Sequence, residues 1–120
     1  ALGVENKINF GGMEWTNVMF IFSHGLLKAI SLQNCGLTNS SIMEASYDNF
    51  KIKLDMKYSN YRQDNQTNSI ENKSTTYSDE ETQIMLFENG YTPGFGYCCI
   101  LAYMDILLQM VNLKEDLDEI

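Results

Sequence analysis

The alternation of apolar and charged side chains from residue 50 to residue 58 constrains the fold of this sequence more than any other feature. Apolar residues take every second position, with charged residues between them: Phe50, Ile52, Leu54, Met56 and Tyr58 against Lys51, Lys53, Asp55 and Lys57. Because successive side chains of a strand point to opposite faces, this period of two predicts a β-strand with one face on a core and one in water. Ser41–Tyr47 predicts a strand before it, and Asp48-Asn49 predicts the tight turn of a hairpin.

Apolar residues recur at helical spacing in the segment before this hairpin. They extend from Met13 to about Leu32 and include Trp15, Val18, Met19, Phe22, Leu26, Ala29 and Ile30. The spacing predicts one helix that is buried on most of its sides, and Asn34-Cys35-Gly36 supplies a left-handed stop. A short strand is predicted at Lys7–Phe10, ending at Gly11-Gly12.

The segment after the hairpin is polar. Ser59 to about Glu81 is rich in Asn, Ser, Thr and Gln, so it cannot bury enough apolar surface to offset its ordering, and a long flexible loop (residues 59–81) is predicted. The next elements are predicted as a short helix or extended piece, a helix, a strand and an acidic tail: Thr82–Phe87, Gly96–Tyr103, Ile106–Leu113 and Lys114–Ile120.

Composition and charge bound the class of protein. The 120 residues fit one domain, and 44% hydrophobic with 12% aromatic residues are enough to bury a core. The net charge of −8 argues against nucleic-acid binding, which needs a clustered basic face. No apolar run approaches the ~20 residues of a membrane-spanning helix. Since the chain begins at Ala1 without an initiator methionine, we expect a soluble fragment of a longer protein.

The cysteines are Cys35, Cys98 and Cys99. An odd count with one adjacent pair does not make a disulfide framework, and no His/Cys set has the spacing of metal ligands. We therefore expect buried free thiols in a reducing compartment, and no metal site.

Two stretches resemble the GHKL (histidine-kinase-like, Bergerat) ATPases, and most of all their anti-sigma-factor kinases. SHGLLKAISL, Ser23–Leu32, is similar to the helix in which that family keeps a Glu, an Asn four residues on, and a His. GFGYCCILAYMDILLQM, Gly94–Met110, resembles the family's second glycine box with its helix and strand. The resemblance implies a single GHKL-like domain over residues 1–120. Its fold would be an α+β, two-layer α/β sandwich, a mostly antiparallel sheet with helices on one face, incomplete relative to the family.

A closer resemblance covers Leu26–Asn60. The stretch LLKAISLQNCGLTNSSIMEASYDNFKIKLDMKYSN looks like the soluble C-terminal domain of bacterial uracil/xanthine permeases, in which a helix reading "LLEA" leads into a hairpin of the type "EASFDEF". This implies a domain on the cytoplasmic face of the bacterial inner membrane, attached to a transporter.

The resemblance also identifies positions of a degenerate nucleotide site. His24 stands at the family's catalytic Glu, and Lys28 stands at its Mg²⁺-binding Asn; a protonated lysine cannot ligate Mg²⁺. Gly94 and Gly96 keep the last glycine box, whose phosphate-binding use depends on a following helix N-terminus. The adenine-reading aspartate of a D-x-G-x-G turn is missing after Tyr58. We therefore expect no catalytic residues, no enzyme activity and no cofactor.

The resemblances lead to one preferred function and two alternatives. The preferred one is a non-catalytic regulatory domain of a nucleobase permease, in contact with its own membrane domain, a partner protein or another copy of itself. Its candidate contact surfaces are the long loop and the helix face around Trp15 and Phe22. The first alternative is a divergent serine kinase of the anti-sigma type that binds ATP and Mg²⁺. The second is a small-molecule sensor with Cys98 and Cys99 lining its pocket.

Overall fold

A computed structural model describes residues 2–4, 8–67 and 72–106, with side chains from residue 8 onward. These residues form nine strands and one helix. The elements are β1 (Leu2–Val4), β2 (Ile8–Phe10), β3 (Met13–Trp15), β4 (Asn17–Ser23), β5 (Leu26–Leu37), α1 (Ser40–Lys57), β6 (Arg62–Thr67), β7 (Lys73–Ser78), β8 (Thr82–Thr92) and β9 (Gly96–Asp105). The fold is therefore α+β and mostly an antiparallel sheet, as predicted, although one helix stands where several were expected.

Seven strands pair into one antiparallel sheet in the order β1-β4-β5-β9-β8-β7-β6, and β2 and β3 form a separate hairpin. The turn between β4 and β5 explains why the chain reverses where it does. Ser23 pairs with Leu26, and the two residues between them, His24 (φ 51°) and Gly25 (φ 77°), both have positive φ. Positive φ at both central residues is the requirement of the hairpin turn that matches the twist of β-strands.

One face of the sheet, here called the inner face, packs against α1 and the β2–β3 hairpin. Its central row contains Val18, Leu32, Leu101 and Leu86, paired across four neighbouring strands and buried with the helix side chains Tyr47, Phe50 and Leu54. The rings of Trp15, in the hairpin, and Phe50 form a T-shaped pair with a centroid distance of 5.2 Å. The hydrophobic core therefore lies between the helix and this one face.

The two strands predicted at Ser41–Tyr47 and Phe50–Tyr58 are wrong, because α1 occupies both ranges. Asn39 caps the helix, its side chain accepting a hydrogen bond of 2.9 Å from the Ile42 amide. The side chains that α1 buries follow helical spacing, namely Met43, Tyr47, Phe50 and Leu54. The alternation from 50 to 58 arises because Ile52 and Met56, on the opposite side of the helix, are apolar yet exposed.

The helix predicted from Met13 to Leu32 is also wrong, because this segment forms β3, β4 and most of β5. In β4, Val18 is buried on the inner face while its neighbour Met19 points to the other side, and both are apolar. A strand that is apolar on both faces loses its alternation, and the remaining pattern resembles helical spacing.

Four further predictions fall on described residues. The flexible loop at 59–81 is wrong for its described part, which contains β6 and β7. The helix at Gly96–Tyr103 is wrong, because β9 covers it, whereas the extended alternative at Thr82–Phe87 is confirmed by β8. The strand at Lys7–Phe10 is confirmed for residues 8–10. Beyond Ile106, the predicted strand at 106–113 and the acidic tail at 114–120 lie outside the described residues.

Candidate functional site

The predicted nucleotide-site positions do not come together. His24 lies in the β4–β5 turn and Lys28 near the start of β5, whereas Gly94 and Gly96 lie at the β8–β9 turn. Along β5, Ala29 pairs with Met104 while Leu37 pairs with Tyr97. Eight residue steps at about 3.3 Å put these two ends of the sheet roughly 25 Å apart. A single phosphate group cannot contact both pairs.

The glycine box Gly94-Phe95-Gly96 joins two strands instead of opening a helix. The Phe95 amide donates to the Thr92 carbonyl at 3.0 Å, and the Phe95 carbonyl accepts from the Gly36 amide at 2.7 Å. A Cβ on Gly96 would lie 3.3 Å from the Gly36 Cα, and Gly96 has a φ of 71°, so the close approach of β5 and β9 and the positive φ both favour glycine. Since no helix begins here, the dipole that would attract a phosphate is missing from this turn.

The expectation of three free thiols is wrong. Cys35 and Cys98 form a disulfide that joins β5 to β9 beside the irregular pairing at Gly36. Cys99 is free and fully buried. Burial, together with the nearby Glu88 charge, raises the pKa of its thiol to about 12, so at neutral pH Cys99 is not the thiolate that a nucleophile needs. Among the described residues, no group of His, Cys, Asp and Glu could hold a metal ion.

A polar cluster lies between the first half of α1 and strands β6 to β8. The Tyr47 hydroxyl lies 2.5 Å from Thr75 Oγ1, and Thr75 donates to Asn65 Oδ1 at 2.8 Å. Lys73 Nζ donates to Glu44 on the helix at 3.2 Å and lies 5.0 Å from the centre of the Tyr47 ring. Sequence reasoning missed this cluster because its members are far apart in the chain. Its contacts fasten α1 to the sheet.

Asp55 and Tyr77 form a second link between α1 and β7. The Tyr77 hydroxyl donates to Asp55 Oδ1 at 2.5 Å, and Lys51 pairs with Asp55 Oδ2 at 2.8 Å. Burial raises the pKa of the Tyr77 hydroxyl, and the Asp55 carboxylate raises it further. For Asp55, burial favours a higher pKa, but the bonds from Lys51 and Tyr77 outweigh it and leave the pKa lowered. The hydrogen bond thus favours a protonated Tyr77 hydroxyl and an ionised Asp55 carboxylate.

Glu88 is the buried acid of the inner face. Its Oε1 accepts a hydrogen bond of 3.2 Å from the Lys73 amide, and it pairs across the sheet with Cys99. Burial raises the pKa of Glu88 above its ordinary value, against the opposing effect of the Lys73 amide and charge. Because the pKa of Glu88 is higher in the folded state than in the unfolded chain, ionisation of Glu88 destabilises the folded state. This loss of stability begins as the pH rises through the unfolded pKa and is complete above the folded pKa.

We therefore expect Glu88→Gln to raise the free energy of unfolding at pH 7. The amide keeps an oxygen to accept from the Lys73 N–H and removes the charge. The gain should shrink as the pH falls toward about 4, where glutamate is protonated in the unfolded chain as well. Urea denaturation at both pH values measures it, and Glu80→Gln, at an exposed position, is the matched control. A gain that is equal at both pH values would contradict the assignment.

The opposite side of the sheet, here called the outer face, is the largest feature that the predictions missed. Three rows of paired residues cross strands β4, β5, β9, β8 and β7: Asn17, Gln33, Ile100, Phe87 and Ser74; Met19, Ser31, Ala102, Met85 and Thr76; Ile21, Ala29, Met104, Gln83 and Ser78. None of these residues carries a charge. Charged residues begin at the rim, where Asp64 and Arg62 of β6 pair with Thr76 and Ser78.

The described elements outside the large sheet all lie on the inner face. Phe10 of the β2–β3 hairpin meets the ring of Tyr103, an inner-face residue, at 6.4 Å, and α1 buries its stripe against the same side. No described element therefore covers the outer face, where Met19 is 36% exposed and Met85 and Ile100 are half-buried.

Two surface cavities are candidate small-molecule sites. One, of about 200 Å³, is lined by Leu27, Lys28 and Tyr103 among others, and is smaller than the roughly 300–1,000 Å³ of typical ligand pockets. The other, of about 510 Å³, lies between the β2–β3 turn and α1, where Lys53 Nζ already donates to the Gly11 carbonyl. Cys98 and Cys99 line neither cavity.

Comparisons with protein-family models, with curated proteins and with solved structures find no match for this chain. Within the described ranges, none of the helical structure is both long and apolar enough to cross a membrane.

Proposed function

We propose that this chain is a non-catalytic interaction domain that binds a protein through the outer face. The observation that carries the proposal is the uncharged, partly apolar surface that five neighbouring strands present on the side away from α1. Interfaces between proteins share this layout, with charged residues depleted at the centre and concentrated at the rim. The sheet and α1 then act as a two-layer sandwich, and the partner supplies the next layer.

The absence of catalytic activity is part of the proposal. It is supported by the separation of His24 and Lys28 from Gly94 and Gly96 across the length of the sheet, and by the raised pKa of the buried Cys99 thiol. Among the residues that the structure describes, no contact favours the ATP-binding kinase alternative. For the sensor alternative, the cysteines expected in its pocket are instead a disulfide partner and a core residue.

The attachment to a uracil/xanthine permease, at the cytoplasmic face of the bacterial inner membrane, stays a prediction from the resemblance of Leu26–Asn60. One finding bears on it: disulfides persist mainly in oxidising compartments, so the Cys35–Cys98 bond does not favour the cytoplasm. The proposal of an interaction domain does not depend on the permease.

Affinity capture with matched baits tests the proposed function. The baits are the wild-type chain, Ala102→Glu at the centre of the outer face, and Ser78→Glu at its rim beside Arg62. Proteins bound through the outer face are expected to be retained by wild type and by Ser78→Glu and lost with Ala102→Glu. Equal retention by all three baits would count against the outer face as the binding surface.

A further inference from the structure

We infer that the protein that covers the outer face is a second copy of this chain, which forms a two-fold symmetric dimer with its sheets packed face to face. The inference depends on the proposed function and names the partner of the same surface. Four observations support it: the charge of the chain, the size of the face, the layout of its side chains and the charged rim.

Charge limits which surfaces of two copies can meet. The chain carries a net charge of −8, and like charges that face each other across an interface oppose association. On the helix side, Glu44 and Asp48 are exposed and both pair with Lys73, so association there would have to accommodate charged side chains of both signs. The outer face holds no charge in any of its three rows, so two copies can meet there without opposing carboxylates.

The outer face has the size of a weak dimer interface. Five strands about 4.8 Å apart and three rows about 6.7 Å apart give a patch of roughly 25 by 20 Å, side chains included. A standard interface buries about 800 Å² of accessible surface per partner. The flat area of this patch, about 500 Å², is below that standard, and interfaces at the low end of the size range belong to weak or transient complexes. The outer face is therefore large enough for a weak dimer.

The layout of the outer face suits contact with itself. Small residues, Ser31 and Ala102, lie next to each other at its centre. Larger ones surround them, with Met19 and Met85 across the sheet and Ile100 and Met104 along β9. In a two-fold interface the same patch serves both subunits, so the small centre of one copy can receive the large side chains of the other. Methionine adapts its shape to such gaps.

The edge of the sheet marks where the interface ends. Strand β6 is exposed along its whole length and wholly polar, and its Arg62 and Asp64 lie in the same rows as the outer-face residues Ser78 and Thr76. Charges along an edge strand oppose edge-to-edge pairing of sheets. The dimer is thus expected to form through the face and to be bounded by this edge.

Sedimentation equilibrium over about 1 to 500 μM protein, a range suited to a micromolar dimer, tests the inference. Wild type is expected to dimerise, and Ala102→Glu is expected to weaken the dimer at least about 100-fold by placing two carboxylates at the centre of the interface. Ser78→Glu, at the rim, should change the affinity by less than about threefold. If Ala102→Glu fails to fold by circular dichroism, Met85→Lys serves in its place, since a long side chain at the surface of β8 is easier to accommodate.

Two results would overturn the inference. One is a wild-type chain that stays monomeric throughout the range, and the other is a dimer that Ala102→Glu and Met85→Lys leave intact. If the monomer dimerises only after deletion of residues 107–120, the chain covers its own outer face. A monomer whose captured partners are nevertheless lost with Ala102→Glu would reject the dimer and leave the interaction-domain proposal standing. A monomeric wild-type chain whose captured proteins are retained equally by Ala102→Glu would reject both the dimer and the interaction-domain proposal.

Discussion

Replacing both disulfide cysteines, Cys35→Ala with Cys98→Ala, is expected to lower the free energy of unfolding by about 4 kcal/mol. The two residues are 63 positions apart in the sequence, and a cross-link over such a loop removes entropy from the unfolded chain that corresponds to about 4 kcal/mol at 25 °C. Alanine avoids placing a hydroxyl at Cys98, which is buried. Urea denaturation with and without a reducing agent measures the change.

The reducing agent makes this prediction specific. Wild type should lose about as much stability on reduction as the double variant has lost without it, and the double variant should not respond to reductant. Cys99→Ala is the matched control, because Cys99 is buried but free; it should cost about 1 kcal/mol and leave the response to reductant intact. A wild-type chain whose stability is the same in both conditions would contradict the disulfide.

Trp15→Ala is expected to cost about 3–5 kcal/mol, the usual range for removing a large aromatic side chain from a core. Trp15 is fully buried, packs edge-on against Phe50, and its Nε1 donates to the Phe10 carbonyl at 3.0 Å. The substitution leaves a cavity between the β2–β3 hairpin and α1, and it removes the donor that holds the hairpin in shape. Chemical denaturation measures the loss.

Phe22→Ala is the control for Trp15→Ala. Both residues stood in one predicted helix face, but Phe22 lies on β4 and is 50% exposed. Its truncation should cost less than about 1 kcal/mol, in keeping with surface substitutions. Equal costs for the two variants would mean that the hairpin does not pack as described.

The sequence supported the fold class better than the identity of individual elements. The alternation from Phe50 to Tyr58 was misleading because it covers only nine residues. The longer series from Met43 to Leu54, together with the Asn39 cap, favours the helix. The apolar run through β4 and β5 suggested a helix because β4 has apolar residues on both faces, with Met19 and Ile21 on the outer face. The apolar residues of the outer face thus removed the alternation by which these strands could have been predicted.

The candidate surface could not be predicted because it depends on strand register. Ser31, Ala102 and Met85 lie next to one another only through the pairing of β5, β9 and β8, and no local pattern contains all three. The Cys35–Cys98 bond was missed for the same reason, because the pairing of β5 with β9 brings the two cysteines together. An odd number of cysteines does not indicate this pair. The motif resemblance predicted that His24 and Lys28 lie on a helix, whereas His24 and Gly25 form a hairpin turn.

Oxidation of individual methionines at two protein concentrations tests the central claim most directly. Met19, Met85 and Met104 lie on the outer face, Met56 on α1 is 77% exposed, and Met43 is 1% exposed in the core. Peptide mass spectrometry after brief peroxide treatment gives a rate for each residue. We expect the three outer-face methionines to oxidise in dilute protein and to be protected in concentrated protein, while Met56 reacts and Met43 resists in both. Outer-face rates that do not change with concentration would contradict the account.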